Sequence, residues 1–234
     1  MKSNARKVKP AKKKPATRKK NRYTSPQRVK QIFAALDDLF PNVECALTHK
    51  NAFQLLVATI LSAQCTDERV NKVTPALFAK YPGPRDFARL DQKVLEEDIR
   101  STGFFRNKAK NIIGAAREIV EGFEGKVPQS MEEILTLPGV ARKTANVVLG
   151  SAFGISSGVV VDTHVFRIAH RLKLSSGNTP EKVEQDLIEL VPKDRWISFG
   201  HQVIWFGRKT CQARKPLCID CPLESLCDAP DKTV

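Results

Sequence analysis

The sequence predicts an all-α fold, on three observations. Apolar residues recur at spacings of three and four along almost the whole chain. Most of these runs begin at a Ser, Thr, Asp or Asn able to cap a helix. No stretch shows the strict alternation of a half-buried strand, and no Asn-Gly hairpin turn occurs.

Thr24, Ser25 and Pro26 start the first helix, with Val29, Ile32, Phe33, Leu36 and Leu39 on one face and a stop near Pro41. Asn51 opens the strongly apolar "NAFQLLVATILSAQC", expected to be buried nearly all round. Thr66 with Asp67 and Glu68 caps the next helix, which Pro75 is expected to end or kink. Residues 84–100 read as one or two short helices ending near Gly103. "RNKAKNIIGAAREIVEGF" turns Ile112, Ile113, Ala116, Ile119 and Val120 inward. Ser130 to Glu133 matches a capping box for a short helix through about Leu135. After "LPGV" a helix runs through "NVVLGSAFG". Asp162 and Thr163 begin "THVFRIAHRL", Thr179-Pro180 begins a helix with Val183, Leu187 and Leu190 inward, and Asp194 begins "RWISFGHQVIWFG". The valine-rich "SSGVVV" is the one strand-like piece.

The 234 residues, 41% hydrophobic, can bury one sizeable core or two small ones. Net charge is +14, unevenly spread: residues 1–36 contain no acid and carry +13, whereas the remainder carries +1. The lysine-, alanine- and proline-rich segment 1–23 is expected to be a disordered basic tail, either a solubilising leader or an arm that adds non-specific nucleic-acid affinity by counterion release. No apolar h-region follows its charges, so a secretory signal is not expected, and no apolar run reaches the length of a membrane span. Six cysteines outside a secreted setting are not expected to form disulfides.

Three motifs carry chemistry. In "LPGVARKTA", Pro138 and Gly139 allow a tight reversal between helices, and amides at such a turn beside a helix N-terminus suit a phosphate. The same turn also serves as a plain helix–helix connection. Arg142 and Lys143 sit where a helix already carries partial positive charge, which a bound phosphate would offset. Lys143 is there either a solvated surface lysine or an amine whose charged form is disfavoured, hence a nucleophile toward a sugar or carbonyl carbon. Asp162 reads first as an N-cap; the same carboxylate could stabilise a developing cation. Cys211, Cys218, Cys221 and Cys227 form a C-x6-C-x2-C-x5-C array suited to a metal, with zinc and a four-iron cluster both open. Cys45 and Cys65 read as small core residues.

The hairpin "LPGVARKTANVVLG", the downstream "VDTH" and the terminal cysteine array resemble, in order and spacing, the endonuclease III family of DNA glycosylases over roughly residues 24–228. The resemblance implies a two-domain all-α fold, with a six-helix domain at 45–155 and a discontinuous iron–sulfur domain from 24–44 plus 156–234. It implies that Lys143 and Asp162 face each other across the interdomain cleft, and that the cysteines hold a [4Fe-4S] cluster. "LSAQCTD" resembles the loop that fills the gap left by an extruded nucleotide, pointing to Gln64, and "STGFFRNKA" the second wedge, pointing to Phe104. Leu137, Gly139, Ala141 and Arg142 would hold the DNA backbone. Ala141 replaces the family's usual glycine and Phe104 its usual leucine, so restricted phosphate approach and altered opposite-base preference are expected. The implied activity is removal of oxidised pyrimidines from double-stranded DNA and nicking at the abasic site. A monomer is expected, without membrane association, in the cytoplasm of a bacterium or the nucleus or an organelle of a eukaryote.

Overall fold

The computed structural model describes residues 24–233; the basic tail lies outside the described residues. These residues contain no strand. Their helices are α1 (Pro26–Leu39), α2 (Ala52–Leu61), α3 (Asp67–Lys80), α4 (Pro84–Ala88), α5 (Gln92–Asp98), α6 (Phe105–Gly122), α7 (Met131–Ile134), α8 (Arg142–Phe153), α9 (Thr163–Arg171), α10 (Pro180–Leu190) and α11 (Trp196–Lys209). The starts follow local chemistry. Ser25, Asn51, Thr66, Ser130, Asp162 and Thr179 each accept a hydrogen bond from an amide of the following helical turn. The last long helix begins at Trp196, after a 3-10 turn at Lys193–Arg195 that takes up the segment beginning at Asp194.

Of the two outcomes expected at Pro75, termination does not occur: α3 continues through it to Lys80. A proline here removes one intrahelical bond. The buried face Val70, Thr74 and Leu77 keeps the helix seated on both sides of the missing bond.

Two hydrophobic cores result. The first gathers residues between Leu47 and Val160, with α2 fully inside it and packed on α8; α4 and α5 pack on α6. The second joins α1 to α9, α10 and α11, through Val29, Ile32, Phe33 and Leu36 against Val165, Ile168, Leu187, Phe199 and Phe206. Each fully buried Leu, Ile or Phe contributes about 1.5–3 kcal/mol. α1 is further tied to α11 where Arg195 and Gln202 both donate to the Asp37 carboxylate. The hydrogen bond from Arg195 holds that carboxyl below the ordinary aspartate range.

"SSGVVV" forms no strand, yet its pattern has a physical reason. Val160 packs in the first core, whereas Val159 and Val161 pack in the second. Alternate side chains of one connecting segment therefore serve two cores, which produces strand-like patterning without a sheet.

Candidate active site

The reversal between α7 and α8 is fixed by α6. The Val140 amide donates to the Leu137 carbonyl across Pro138-Gly139, and Gly139 has φ +78°. A Cβ on Gly139 would lie 2.7 Å from that of Asn111, and one on Gly114 would lie 3.1 Å from Pro138 Cγ. Asn111 and Gly114, one turn apart on α6, thus form the seat of the hairpin. Leu137 is buried in the first core and its carbonyl accepts the Val140 amide, so its side chain builds the turn. Ala141 is extended, at φ −96° and ψ 169°, and no side chain caps α8. An alanine is unstrained in that conformation, so backbone angles do not require the glycine expected there. The first-turn amides of α8 are left for solvent or an anion.

The two cations at this helix start have separate surroundings. Arg142 Nε and Nη2 donate to the two oxygens of Glu184 on α10, at 2.7 and 3.0 Å. Glu184 also accepts from Asn146, whose own Oδ1 accepts from Ser157. A Cβ on Gly158 would fall 2.0 Å from Glu184 Oε1, so any larger residue there would displace that carboxylate from Arg142 and Asn146. The Arg142 guanidinium therefore joins α8 of the first core to α10 of the second, while its backbone amide lies at the uncapped start of α8. Its hydrogen bond to Glu184 raises its proton affinity.

Lys143 is exposed and lines a cleft that Asp162 also lines. Leu47, Thr59, Ser62, Val147 and Val160 face it from the first core's side, and Ile204, Trp205 and Arg208 from α11. The cleft holds about 540 Å³ of space, part of it open solvent. Asp162 Oδ1 accepts from the amides of both His164 and Val165 at 2.8 Å. One oxygen thus caps α9 while Oδ2 is left without a protein hydrogen bond. An ion pair from Arg208 to Asp67 spans the cleft. His201, bonded to Ser151, has its imidazolium disfavoured by burial. Asp67, which the sequence places in a helix cap, and Arg208 and His201, on a plain amphipathic helix, carry no local sequence signal for the cleft.

Gln64 and Phe104 both protrude. Among the described residues only four non-glycines have left-handed φ, and Gln64 (+53°) and Phe104 (+47°) are two of them. That conformation costs a non-glycine roughly 1–2 kcal/mol. Phe104 is 62% exposed. Beneath it Phe105 lies within 6 Å of the guanidinium carbons of Arg100 (5.9 Å) and Arg106 (5.4 Å).

Cys211, Cys218, Cys221 and Cys227 line one cavity and are all free thiols. Buried Arg171 of α9 donates to Cys211 Sγ at 3.2 Å, to the Gln212 and Ala213 carbonyls, and to Asp231. Burial pushes the Cys221 and Cys227 thiols up, and the neighbouring cysteines add to the effect. Among the described residues no three His, Cys, Asp or Glu groups converge as ligands of a single ion would.

Comparison with known proteins gives one consistent result. Residues 57–193 match the HhH-GPD superfamily of base excision DNA repair proteins. The chain is 59% identical over 201 residues to endonuclease III of Synechocystis sp., covering 86% of this chain and 92% of that one. It is 39% identical over 202 residues to endonuclease III of Escherichia coli, with 86% and 95% covered. Its fold superposes on a trapped endonuclease III–DNA covalent intermediate with a TM-score of 0.84 at 43% identity, covering 87% of this chain and 96% of the other.

Proposed function

This chain belongs to the endonuclease III family of base excision repair DNA glycosylases and abasic-site lyases, and we propose that it removes oxidised pyrimidines through a Lys143 Schiff base and then nicks the strand. The observation that carries the reading is that Lys143 and Asp162, from helices of different cores, line one cleft beside the hairpin.

The target base is inaccessible inside a duplex, so its nucleotide must leave the stack. The amides of Gly139 and of the uncapped start of α8, Ala141 to Lys143, bind the backbone phosphate, a contact that positions without reading sequence. Gln64 and Phe104 fill the vacated space; the larger ring of Phe104 can stack on the bases there, favouring a different opposite-base preference from leucine. Lys143 Nζ, as free base, attacks C1′; the C1′–N bond breaks, and the base leaves with the bonding electrons and takes up a proton. Asp162 Oδ2 faces the positive charge that develops at the sugar and accepts or returns protons there. Ring opening gives the Schiff base. Loss of the C2′ proton then expels the 3′ phosphate, and water releases the lysine.

The four cysteines fit a [4Fe-4S] cluster. They share a cavity, and four cysteine thiolates are the ligand set such a cluster takes. Such a cluster would cross-link Cys211, Cys218, Cys221 and Cys227 and so order the C-terminal loop, whose exposed Arg214 and Lys215 would supply positive charge toward DNA phosphate. Purified protein is expected to contain about four irons per chain, and Cys221→Ser to lose them together with part of its thermal stability. One zinc per chain would contradict the assignment. The protein acts as a monomer, wherever the cell keeps its DNA.

The functional reading is tested on duplexes carrying thymine glycol or a bare abasic site. Expected products are the free oxidised base and a strand ending in a 3′ unsaturated aldehyde. Base release with the strand left intact, or action confined to mismatched normal bases, contradicts it.

A further inference from the structure

Lys108, in the first turn of α6, is 4% exposed, yet no carboxylate accepts from it. Its Nζ donates to two carbonyl oxygens, those of Leu61 and Thr102, each at 2.8 Å. Burial disfavours its charge, which the nearby Cys65 partly offsets. A buried ammonium held only by neutral carbonyls is a costly arrangement in a position where leucine or methionine would pack.

What the two carbonyls have in common is their place in the chain. Leu61 ends α2, three residues before left-handed Gln64. Thr102 ends a 3-10 turn, two residues before left-handed Phe104. The Lys108 amide also donates to the Phe104 carbonyl at 3.1 Å, closing the first turn of α6 on that residue. One residue therefore anchors the bases of both protruding segments. A simple cap on the end of α2 would explain the bond to Leu61 but not the one to Thr102.

We propose that Lys108 is a positioning residue that holds the Gln64 and Phe104 segments in register, so that both enter the space vacated by an extruded nucleotide together. This rests on the assignment of those two residues as gap fillers. The ammonium replaces flexible loop ends with two short charge-assisted bonds, so the ordering is made before DNA arrives. The role matters only where there is a gap to fill, which separates it from a general structural role.

The test uses Lys108→Met, which keeps the stem and removes the donors, and compares two substrates. Base release from a thymine glycol duplex is expected to fall on the order of 10- to 100-fold. Nicking of an abasic site in single-stranded DNA, where no stack must be refilled, is expected to stay within about twofold. In a Gln64→Ala/Phe104→Ala background Lys108→Met should add almost nothing, because it acts through those side chains. If the Gln64→Ala/Phe104→Ala protein releases base as well as the unaltered one, the gap-filler assignment fails. If that protein is impaired but Lys108→Met lowers both substrates equally, or its effect is fully additive, the positioning role is overturned. Should Lys108→Met not fold, Lys108→Gln, which retains a shorter donor, is judged by the same duplex-to-single-strand ratio.

Discussion

Lys143→Ala is expected to lower strand nicking by at least ~10³-fold and to eliminate covalent trapping by borohydride, while the protein still folds and still binds damaged duplex. The stability part follows from position. Lys143 is exposed at the start of α8, so truncation opens no cavity, and alanine is a good helix former. The binding part follows from the hairpin, whose phosphate-holding groups are amides that the substitution leaves in place. Lys143→Arg is expected to be as inactive as alanine, since a guanidinium retains positive charge but is not a free-base nucleophile. Calorimetric melting, duplex affinity and single-turnover nicking check the three parts separately. A loss of nicking with a matching loss of stability would assign the lysine to the fold instead.

Asp162→Asn is expected to slow base release by roughly 10²- to 10³-fold with little change in melting temperature or duplex affinity. The separation is possible because Asp162 has two tasks on two oxygens. Oδ1 caps α9 through the amides of His164 and Val165, and asparagine caps about as well. Only the charge at the other oxygen is lost. Asp162→Ala removes the cap as well and is expected to destabilise by about 1 kcal/mol more. Single-turnover kinetics on thymine glycol duplex, with abasic-site nicking measured alongside, tests this. Full glycosylase turnover by Asp162→Asn would remove the aspartate from the chemistry.

The elements that were legible in the sequence are those specified locally. Ser25, Asn51, Thr66, Ser130, Asp162 and Thr179 name helix starts because capping needs only the next turn. The lysine, the aspartate and the four cysteines were legible because their spacing is part of a motif. What was not legible depends on tertiary contact. α3 runs through Pro75 because its buried face is held on both sides. Glu184 reads as one acid among several on an amphipathic helix, and only the folded chain sets it, 6% exposed, against Arg142. Lys108 reads as a surface lysine because most lysines are. "SSGVVV" has strand composition because each face of the connector meets a different core.

Borohydride reduction during turnover, followed by proteolysis and mass spectrometry of the adduct, tests the central claim most directly. The account predicts one modified peptide, bearing the reduced sugar at Lys143. An adduct at another amine, such as a lysine of the basic segment, or efficient nicking with no adduct at all, would contradict it.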